Sequence, residues 1–128
     1  EVNGVSWSPH NDAVLASAGS DGTARVWDLR ALERPVRVLG RKCHTEQLLQ
    51  AEWAPLTAGV LATASTDGVV ALWDATQERD ADALVFRHVG HRAPVTEFCW
   101  SPEQPWTLAS ASEDNELHVW RVAAPLVW

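Results

Sequence analysis

The side chains best suited to chemistry in this chain of 128 residues recur as a set. Each set contains a tryptophan, a serine or threonine, an aspartate and, in two copies, a histidine. The complete sets are His44, Thr63, Asp67 and Trp73, then His91, Ser110, Asp114 and Trp120; a third copy has Ser17, Asp21 and Trp27. Indole N–H, hydroxyl, imidazole and carboxylate groups satisfy one another in a buried relay. We therefore expect a structural hydrogen-bonded set.

The same side chains allow two other interpretations. An aspartate, a histidine and a serine form the triad of many hydrolases, but a nucleophile copied at three hairpin turns does not build one active site. Cys43 and His44, or His88 and His91, offer metal ligands, although the relay already uses His44 and His91 and the two cysteines are far apart in sequence. We predict that the protein is not an enzyme and holds no metal and no cofactor.

The elements that must position these sets also repeat. The first tryptophan of each unit, at Trp7, Trp53 and Trp100, recurs after 46 and then 47 residues. Four further anchors recur with it: Pro9, Pro55 and Pro102; Leu15, Leu61 and Leu108; Asp21, Asp67 and Asp114; Trp27, Trp73 and Trp120. Such a period is typical of one supersecondary unit repeated along the chain.

Each unit has the pattern of a small antiparallel sheet. An alternating run reaches the first tryptophan, a second strand leads to an Asp-Gly or Asp-Asn turn, and a third strand ends at the second tryptophan. Both central residues of such a turn accept positive φ at little cost. A fourth strand is predicted at 35–39, 83–89 and 125–128. Four strands in about 40 residues predict the blade of a β-propeller, with units at 1–39, 40–89 and 90–128.

Tryptophan burial and sheet edges follow from this arrangement. We expect six tryptophans in the core, namely Trp7, Trp27, Trp53, Trp73, Trp100 and Trp120, and we expect Trp106 to pack beneath a blade edge.

Three blades alone leave two sheet faces open, an arrangement that propellers avoid by closing the ring. Either further blades of the same native chain or a second copy of this one is expected to complete it.

Charge and cysteine content restrict the kinds of partner and the cell compartment that fit this chain. The formal net charge of -7, from 10 basic and 17 acidic residues, argues against direct binding to nucleic acid or to an anionic membrane and favours a basic protein partner. Cys43 and Cys99 are too few for a disulfide framework, and no stretch of 18 apolar residues is present. We expect a nuclear protein, also present in the cytoplasm, and the absence of methionine predicts a piece of a longer chain.

Short motifs carry a resemblance to a known family. "VWDL" at 26–29, "LWDA" at 72–75 and "GH" at 90–91 resemble the WD-repeat family, and three such units cover essentially the whole chain. The resemblance implies an all-β, WD40-type β-propeller, of which this chain supplies three four-stranded blades out of seven. The turn "WSPEQPW" and the hairpin "SEDN" in the last unit are similar to the retinoblastoma-binding histone-binding WD-repeat proteins. That likeness implies a histone-binding subunit of chromatin assembly and chromatin-modifying complexes.

The same resemblance implies which residues touch a histone. On the top rim, where a basic tail lies, the matching positions are Asn3, Gln47, Leu49 and Glu113. Gln47 stands where the family has an acid, Leu49 where it has an aromatic residue and Pro94 where it has a basic one. At the blade edge, the loop with Glu78, Asp80 and Asp82 corresponds to an acidic insertion that grips a second histone segment, but it is shorter and lacks the family's diproline.

Two other functions fit the sequence. The stretch 14–30 resembles the motif with which some WD-repeat proteins dock onto the adaptor of cullin ubiquitin ligases, and this motif implies docking through Asp28 and Arg30 on the bottom face. The protein would then be a substrate receptor or adaptor of such a ligase. A general assembly scaffold is the remaining alternative, since most of the motif is shared by any WD repeat.

Overall fold

Eleven strands form three antiparallel sheets in the computed structural model, which describes residues 1–40, 43–77 and 83–122. The first sheet contains β1 (Val2–Trp7), β2 (Val14–Gly19), β3 (Ala24–Asp28) and β4 (Arg37–Leu39), in that order. The second contains β5 (Leu48–Trp53), β6 (Val60–Ser65), β7 (Val70–Asp74) and β8 (Leu84–His88). Both have the four-stranded meander predicted for a propeller blade.

The third sheet repeats the same order with three described strands. They are β9 (Val95–Trp100), β10 (Thr107–Ser112) and β11 (Leu117–Arg121), and β10 lies in the middle. The predicted fourth strand at 125–128 lies outside the described residues. The strand pairing confirms the all-β blade architecture, and the part of the chain with described structure contains no helix able to cross a bilayer.

The hairpin turns differ in one respect from the expected two-residue form. Four residues separate β2 from β3 and β6 from β7, and only the third of them, Gly22 or Gly68, has positive φ. Asn115 takes the same conformation in the third sheet with φ of 68°. The preceding aspartate bends the chain by accepting a backbone hydrogen bond two residues on, as Asp67 does from the N–H of Val69 at 2.9 Å. The aspartate of each turn therefore does not use the positive φ that this residue pair allows.

The middle sheet is buried on both faces. Every residue of β6 and β7 is buried, because one apolar cluster fills the space towards the first sheet and another the space towards the third. Leu61 and Trp73 belong to the first cluster, and Val60 and Leu72 to the second. Alternate side chains of a strand point to opposite faces, so the near-continuous apolar runs of these strands fit a sheet packed on both sides.

The first tryptophan of each unit is buried in the second and third sheets and exposed in the first. Trp53 and Trp100 are 6% and 9% exposed, and each indole N–H reaches back to the preceding sheet, donating to the carbonyls of Ser6 at 3.2 Å and Glu52 at 3.1 Å. Trp7 occupies the same position in the first sheet and is 59% exposed. Its expected burial is not observed, because no other sheet among the described residues packs against this face of the first one. Trp106 is buried, as expected.

Candidate protein-binding site

Strand direction gives the sheets two distinct ends. We call the end with the β2–β3, β6–β7 and β10–β11 hairpins the turn end, and the other the opposite end. At the turn end each hairpin donates a backbone hydrogen bond to the carbonyl of the residue that precedes the first strand of its sheet. The bonds are Ser20 N–H to Glu1 at 2.8 Å, Thr66 N–H to Gln47 at 3.1 Å and Glu113 N–H to Pro94 at 3.0 Å. The repeat therefore places Gln47, which precedes β5, and Glu113, in the last hairpin, at the same end of the sheets.

The amide residues of this surface contact each other. Asn3 Nδ2 donates to the carbonyl of Leu48 at 2.8 Å and lies 3.4 Å from Gln47 Oε1. These contacts join the first sheet to the second at the turn end. Glu113 has an exposed side chain at the hairpin tip of the third sheet. Three of the four residues expected on the rim, Asn3, Gln47 and Glu113, thus lie at the same end of the molecule.

A cleft of about 380 Å³ runs between the inner strands of the three sheets. Its walls are 3–6 of β1, 49–52 of β5 and 96–97 of β9. Leu49, the fourth expected rim residue, lines it beside Asn3. Among the described residues, the lining includes Glu52 and Glu97 and no lysine or arginine. The cleft therefore presents amide and acidic groups, which suit a cationic ligand.

Sequence reasoning did not find Gln50, Glu52 and Glu97 as members of this surface. Gln50 bridges two sheets, because its side-chain amide donates to the carbonyl of Phe98 at 2.9 Å and accepts from the Phe98 N–H at 3.1 Å. It also donates to Glu52 at 2.8 Å. A signal was present in the repeat: Gly4, Gln50 and Glu97 share the position three residues before the first tryptophan, where each inner strand faces the cleft.

Asp28 ends β3 at the opposite end, and Arg30 lies two residues after it. Arg30 Nε and Nη2 donate to the two carboxylate oxygens of Asp28 at 2.9 and 2.7 Å. The guanidinium hydrogen bond is the main cause that lowers the pKa of Asp28 to about 2. The Arg30 side chain remains 76% exposed. Much of its hydrogen-bonding capacity is engaged by Asp28, so a partner at this end would meet a paired charge.

The expected acidic edge loop is beyond what the structure describes. Glu78, Asp80 and Asp82 fall within 78–82, which lies outside the described residues. The loop stays a prediction.

The second sheet brings all four expected relay groups together. Trp73 Nε1 donates to Thr63 Oγ1 at 2.9 Å, and His44 Nε2 lies 2.7 Å from the same oxygen. His44 Nδ1 is 3.4 Å from Asp67 Oδ2. Burial lowers the pKa of His44, and the Asp67 carboxylate opposes that effect. Since Thr63 and Trp73 are buried, these hydrogen bonds satisfy polar atoms that would otherwise lack a partner.

The third sheet departs from this set at Asp114. Trp120 Nε1 and His91 Nε2 share Ser110 Oγ at 3.1 and 2.6 Å, as in the second sheet. Asp114 instead accepts the hydroxyl hydrogen of Ser112, a bond that lowers the pKa of Asp114. His91 Nδ1 is buried and has no hydrogen-bond partner among the described residues. The expected relay is therefore incomplete here, because a nearer hydroxyl binds the carboxylate.

Comparison with known proteins agrees with the repeat pattern. The family model described as WD domain, G-beta repeat matches residues 1–28 and 83–121. The chain is 45% identical over 133 residues to the WD-40 repeat-containing protein MSI3 of Arabidopsis thaliana, covering 96% of this chain. It is 47% identical over 135 residues to the histone acetyltransferase type B subunit 2 of Eremothecium gossypii, covering 98% of this chain. The chain spans 31% of the length of each of these relatives.

Proposed function

The chain belongs to the WD40 repeat family, and we propose that it is a non-catalytic module that binds histones within a chromatin assembly or modifying complex. One relative is named as a subunit of a histone acetyltransferase, which supports partners of that class. Such a role places the protein in the nucleus. Because the chain spans about a third of the relatives, the proposal concerns the part of the surface that these three sheets supply.

The observation that carries the proposal is the charge of the cleft and the turn end. Glu52 and Glu97 line a cleft whose described lining has no lysine or arginine, and Glu113 is exposed at the turn end. Histone tails are extended and rich in lysine and arginine. A tail lying across the turn end would place cationic side chains near Glu113 and the cleft carboxylates, where charge-assisted hydrogen bonds form. The overall charge of -7 favours the same encounter.

Backbone recognition of the tail belongs to the amide side chains. Asn3 and Gln47 meet where the first two sheets join at the turn end. An amide offers both a donor and an acceptor, so these residues suit the peptide groups of an extended chain. Leu49 adds an apolar surface in the cleft wall for the aliphatic part of a lysine or arginine side chain. On this proposal Asn3 and Gln47 position the tail, and Glu113 and Glu97 select its charge.

The test is charge reversal at the turn end and at the opposite end of the sheets in the intact protein. Titration of fluorescent tail peptides from the four core histones should show binding that Glu113→Lys weakens by about threefold to tenfold, since an exposed ion pair contributes up to about 1 kcal/mol and reversal adds repulsion. Glu103→Lys is the matched control, because Glu103 is equally acidic and exposed and follows β9 at the opposite end. It should leave binding within twofold.

Arg30→Ala distinguishes histone binding from docking through the opposite end. Histone-peptide binding should be unaffected, because Arg30 is remote from the turn end. If Arg30→Ala and Glu113→Lys weaken the same peptide equally, the assignment to the turn end is wrong. The absence of measurable binding to all four tails would contradict the proposed function itself.

A further inference from the structure

Three histidines meet where the second sheet packs against the third. His88 ends β8, His91 lies in the loop that enters β9, and His118 is in β11. One ring nitrogen from each lies within 4.8 Å of the other two. His88 Nε2 and His118 Nδ1 are 2.9 Å apart, and the rings of His91 and His118 stack with centroids at 3.9 Å. Gly90 leaves room for the cluster, since a Cβ there would lie 3.2 Å from atoms of His88 and His118.

Hydrogen bonds on the outer side of the cluster determine which nitrogens are available. His118 Nε2 is 3.1 Å from Glu116 Oε2. A carboxylate accepts, so the proton of His118 belongs on Nε2 and the lone pair on Nδ1, facing His88. A carboxylate that holds the far nitrogen of a histidine is the usual outer support of a metal ligand, and it fixes the tautomer that binds.

His91 supplies the strongest indication that the cluster takes a ligand. This residue is 6% exposed, and its Nδ1 is buried without a hydrogen-bond partner among the described residues. In the second sheet the equivalent atom, His44 Nδ1, faces Asp67. Buried polar atoms without a partner are uncommon and costly. A ligand that accepts the lone pair of His91 Nδ1 would remove this cost.

Comparison of the repeats separates the cluster from the structural relay. The residue two positions before the second tryptophan is Arg25 in the first sheet, Ala71 in the second and His118 in the third. The relay of the second sheet forms without a histidine at this position, so His118 is not needed for it. Its presence beside His91 and His88 is a feature of the third sheet alone among the three.

We propose that His88, His91 and His118 together bind one divalent transition-metal ion of the Zn²⁺ type. Three imidazoles are a common ligand set for zinc, which leaves the fourth position to water or to a partner side chain. Zinc–nitrogen bonds of about 2.0–2.1 Å in a tetrahedron separate the nitrogens by about 3.4 Å, between the 2.9 and 4.8 Å of this structure. The parallel rings of His91 and His118 cannot both point at one ion, so His118, whose side chain is 24% exposed, turns on binding together with Glu116, which is 43% exposed and supports it.

The bound ion would join two sheets. His88 belongs to the outer strand of the second sheet, and its ring also stacks on Trp120 of the third with centroids at 4.5 Å. Metal ions bind the neutral form of imidazole. Binding to the folded state alone stabilises it. The site therefore acts as a link between neighbouring blades.

The test is titration of the metal-free intact protein with Zn²⁺ by calorimetry and with Co²⁺ by visible absorption. We expect one equivalent of Zn²⁺ that is lost in His118→Ala, together with the tetrahedral absorption band of Co²⁺. His118→Ala reproduces the residue that the second sheet has at this position, so the fold should tolerate it. His10→Ala, at an exposed histidine far from the cluster, is the matched control and should bind as the wild type does.

Glu116→Gln supplies a second measurement that does not remove a ligand. Loss of the supporting carboxylate should weaken Zn²⁺ binding by about tenfold to a hundredfold. Zn²⁺ should also raise the Tm of the wild type and not that of His118→Ala. The proposal is overturned if the wild type binds no Zn²⁺, or if His118→Ala and Glu116→Gln bind it as tightly as the wild type. If His118→Ala does not fold, the result for Glu116→Gln decides.

Discussion

At the scale of single residues, one hydroxyl oxygen organises each sheet. Ser17, Thr63 and Ser110 each accept the indole N–H of the tryptophan on the neighbouring strand. Thr63 and Ser110 also contact a histidine from the preceding loop. The hydroxyl on β6 or β10 therefore holds the histidine, and the histidine in turn fixes its loop at the turn end. The surface that we propose for histones is built on these loops and hairpins.

The state of His44 gives a prediction with a defined sign. Burial outweighs the Asp67 carboxylate and lowers the pKa of His44 below 6.5, and nearby Arg87 acts in the same direction. The unfolded chain then takes up a proton more readily than the folded one. The contribution of neutral His44 to stability is therefore present above pH 6.5 and is lost as pH falls through the folded pKa, by up to about 1.4 kcal/mol per pH unit.

NMR titration of the His44 ring signals in the intact protein measures this directly. The midpoint should lie below 6.5, and Asp67→Asn should lower it further because the only carboxylate within 4 Å of Nδ1 among the described residues is removed. A midpoint at or above 6.5 in the wild type would contradict the assignment of burial as the dominant cause.

At the scale of elements, side chains of the inner strands hold neighbouring sheets in register. The side-chain amide of Gln50 takes the place of a neighbouring strand beside Phe98, because it accepts from the Phe98 N–H and donates to the Phe98 carbonyl. The indoles of Trp53 and Trp100 donate to carbonyls of the preceding inner strand. These bonds satisfy backbone groups that face the cleft and would otherwise lack a strand partner.

Replacing Gln50 tests the link between the second and third sheets. In Gln50→Glu the donor to the Phe98 carbonyl becomes an acceptor, and a new charge lies beside Glu52. We expect a loss of about 2–4 kcal/mol in the free energy of unfolding, measured by urea denaturation of the intact protein. Gln104→Glu makes the same chemical change at an exposed position and should alter stability by less than about 0.5 kcal/mol. Equal effects of the two substitutions would show that the bridge contributes nothing.

The elements were more predictable from sequence than the contacts between them. Recurring tryptophans, prolines and Asp-Gly turns predicted the strand order, because these residues report local geometry. The shape of the turns was not predicted, because the side chain of Asp67, rather than two residues of positive φ, determines the bend. The bond of Asp114 to Ser112 and the meeting of His88 with His118 depend on how neighbouring strands and sheets pack, and no single repeat encodes them.

At the scale of the molecule, the outer faces of the first and third sheets are apolar and exposed, as they would be in one part of a larger ring. Val2, Val5 and Trp7 are exposed on β1, and Leu117 and Val119 on β11, with exposed fractions from 59% to 72%. Their equivalents in the middle sheet are buried. Apolar faces of this kind in soluble proteins are covered by a neighbour. We propose that further blades of the same native chain cover them, and association of two copies is the alternative.

Trp7 tests this closure. By analogy with Trp53 and Trp100, its indole should pack on a preceding blade in the intact protein, so that Trp7→Ala lowers the free energy of unfolding by about 3–5 kcal/mol. Leu56→Ala, at a residue that is 45% exposed in the loop between β5 and β6, should change it by less than about 0.5 kcal/mol. A negligible effect of Trp7→Ala would mean that no blade covers this face.

Amide hydrogen exchange of the intact protein, with and without a saturating core-histone tail peptide, tests whether histones bind at the turn end. We expect slower exchange in the peptide complex at the turn end and along the cleft, in 1–4, 46–50, 94–97 and 112–116. We expect no change at 28–32, around Asp28 and Arg30. Protection confined to 28–32, or no protection anywhere in these sheets, would contradict the assignment of histone binding to this surface.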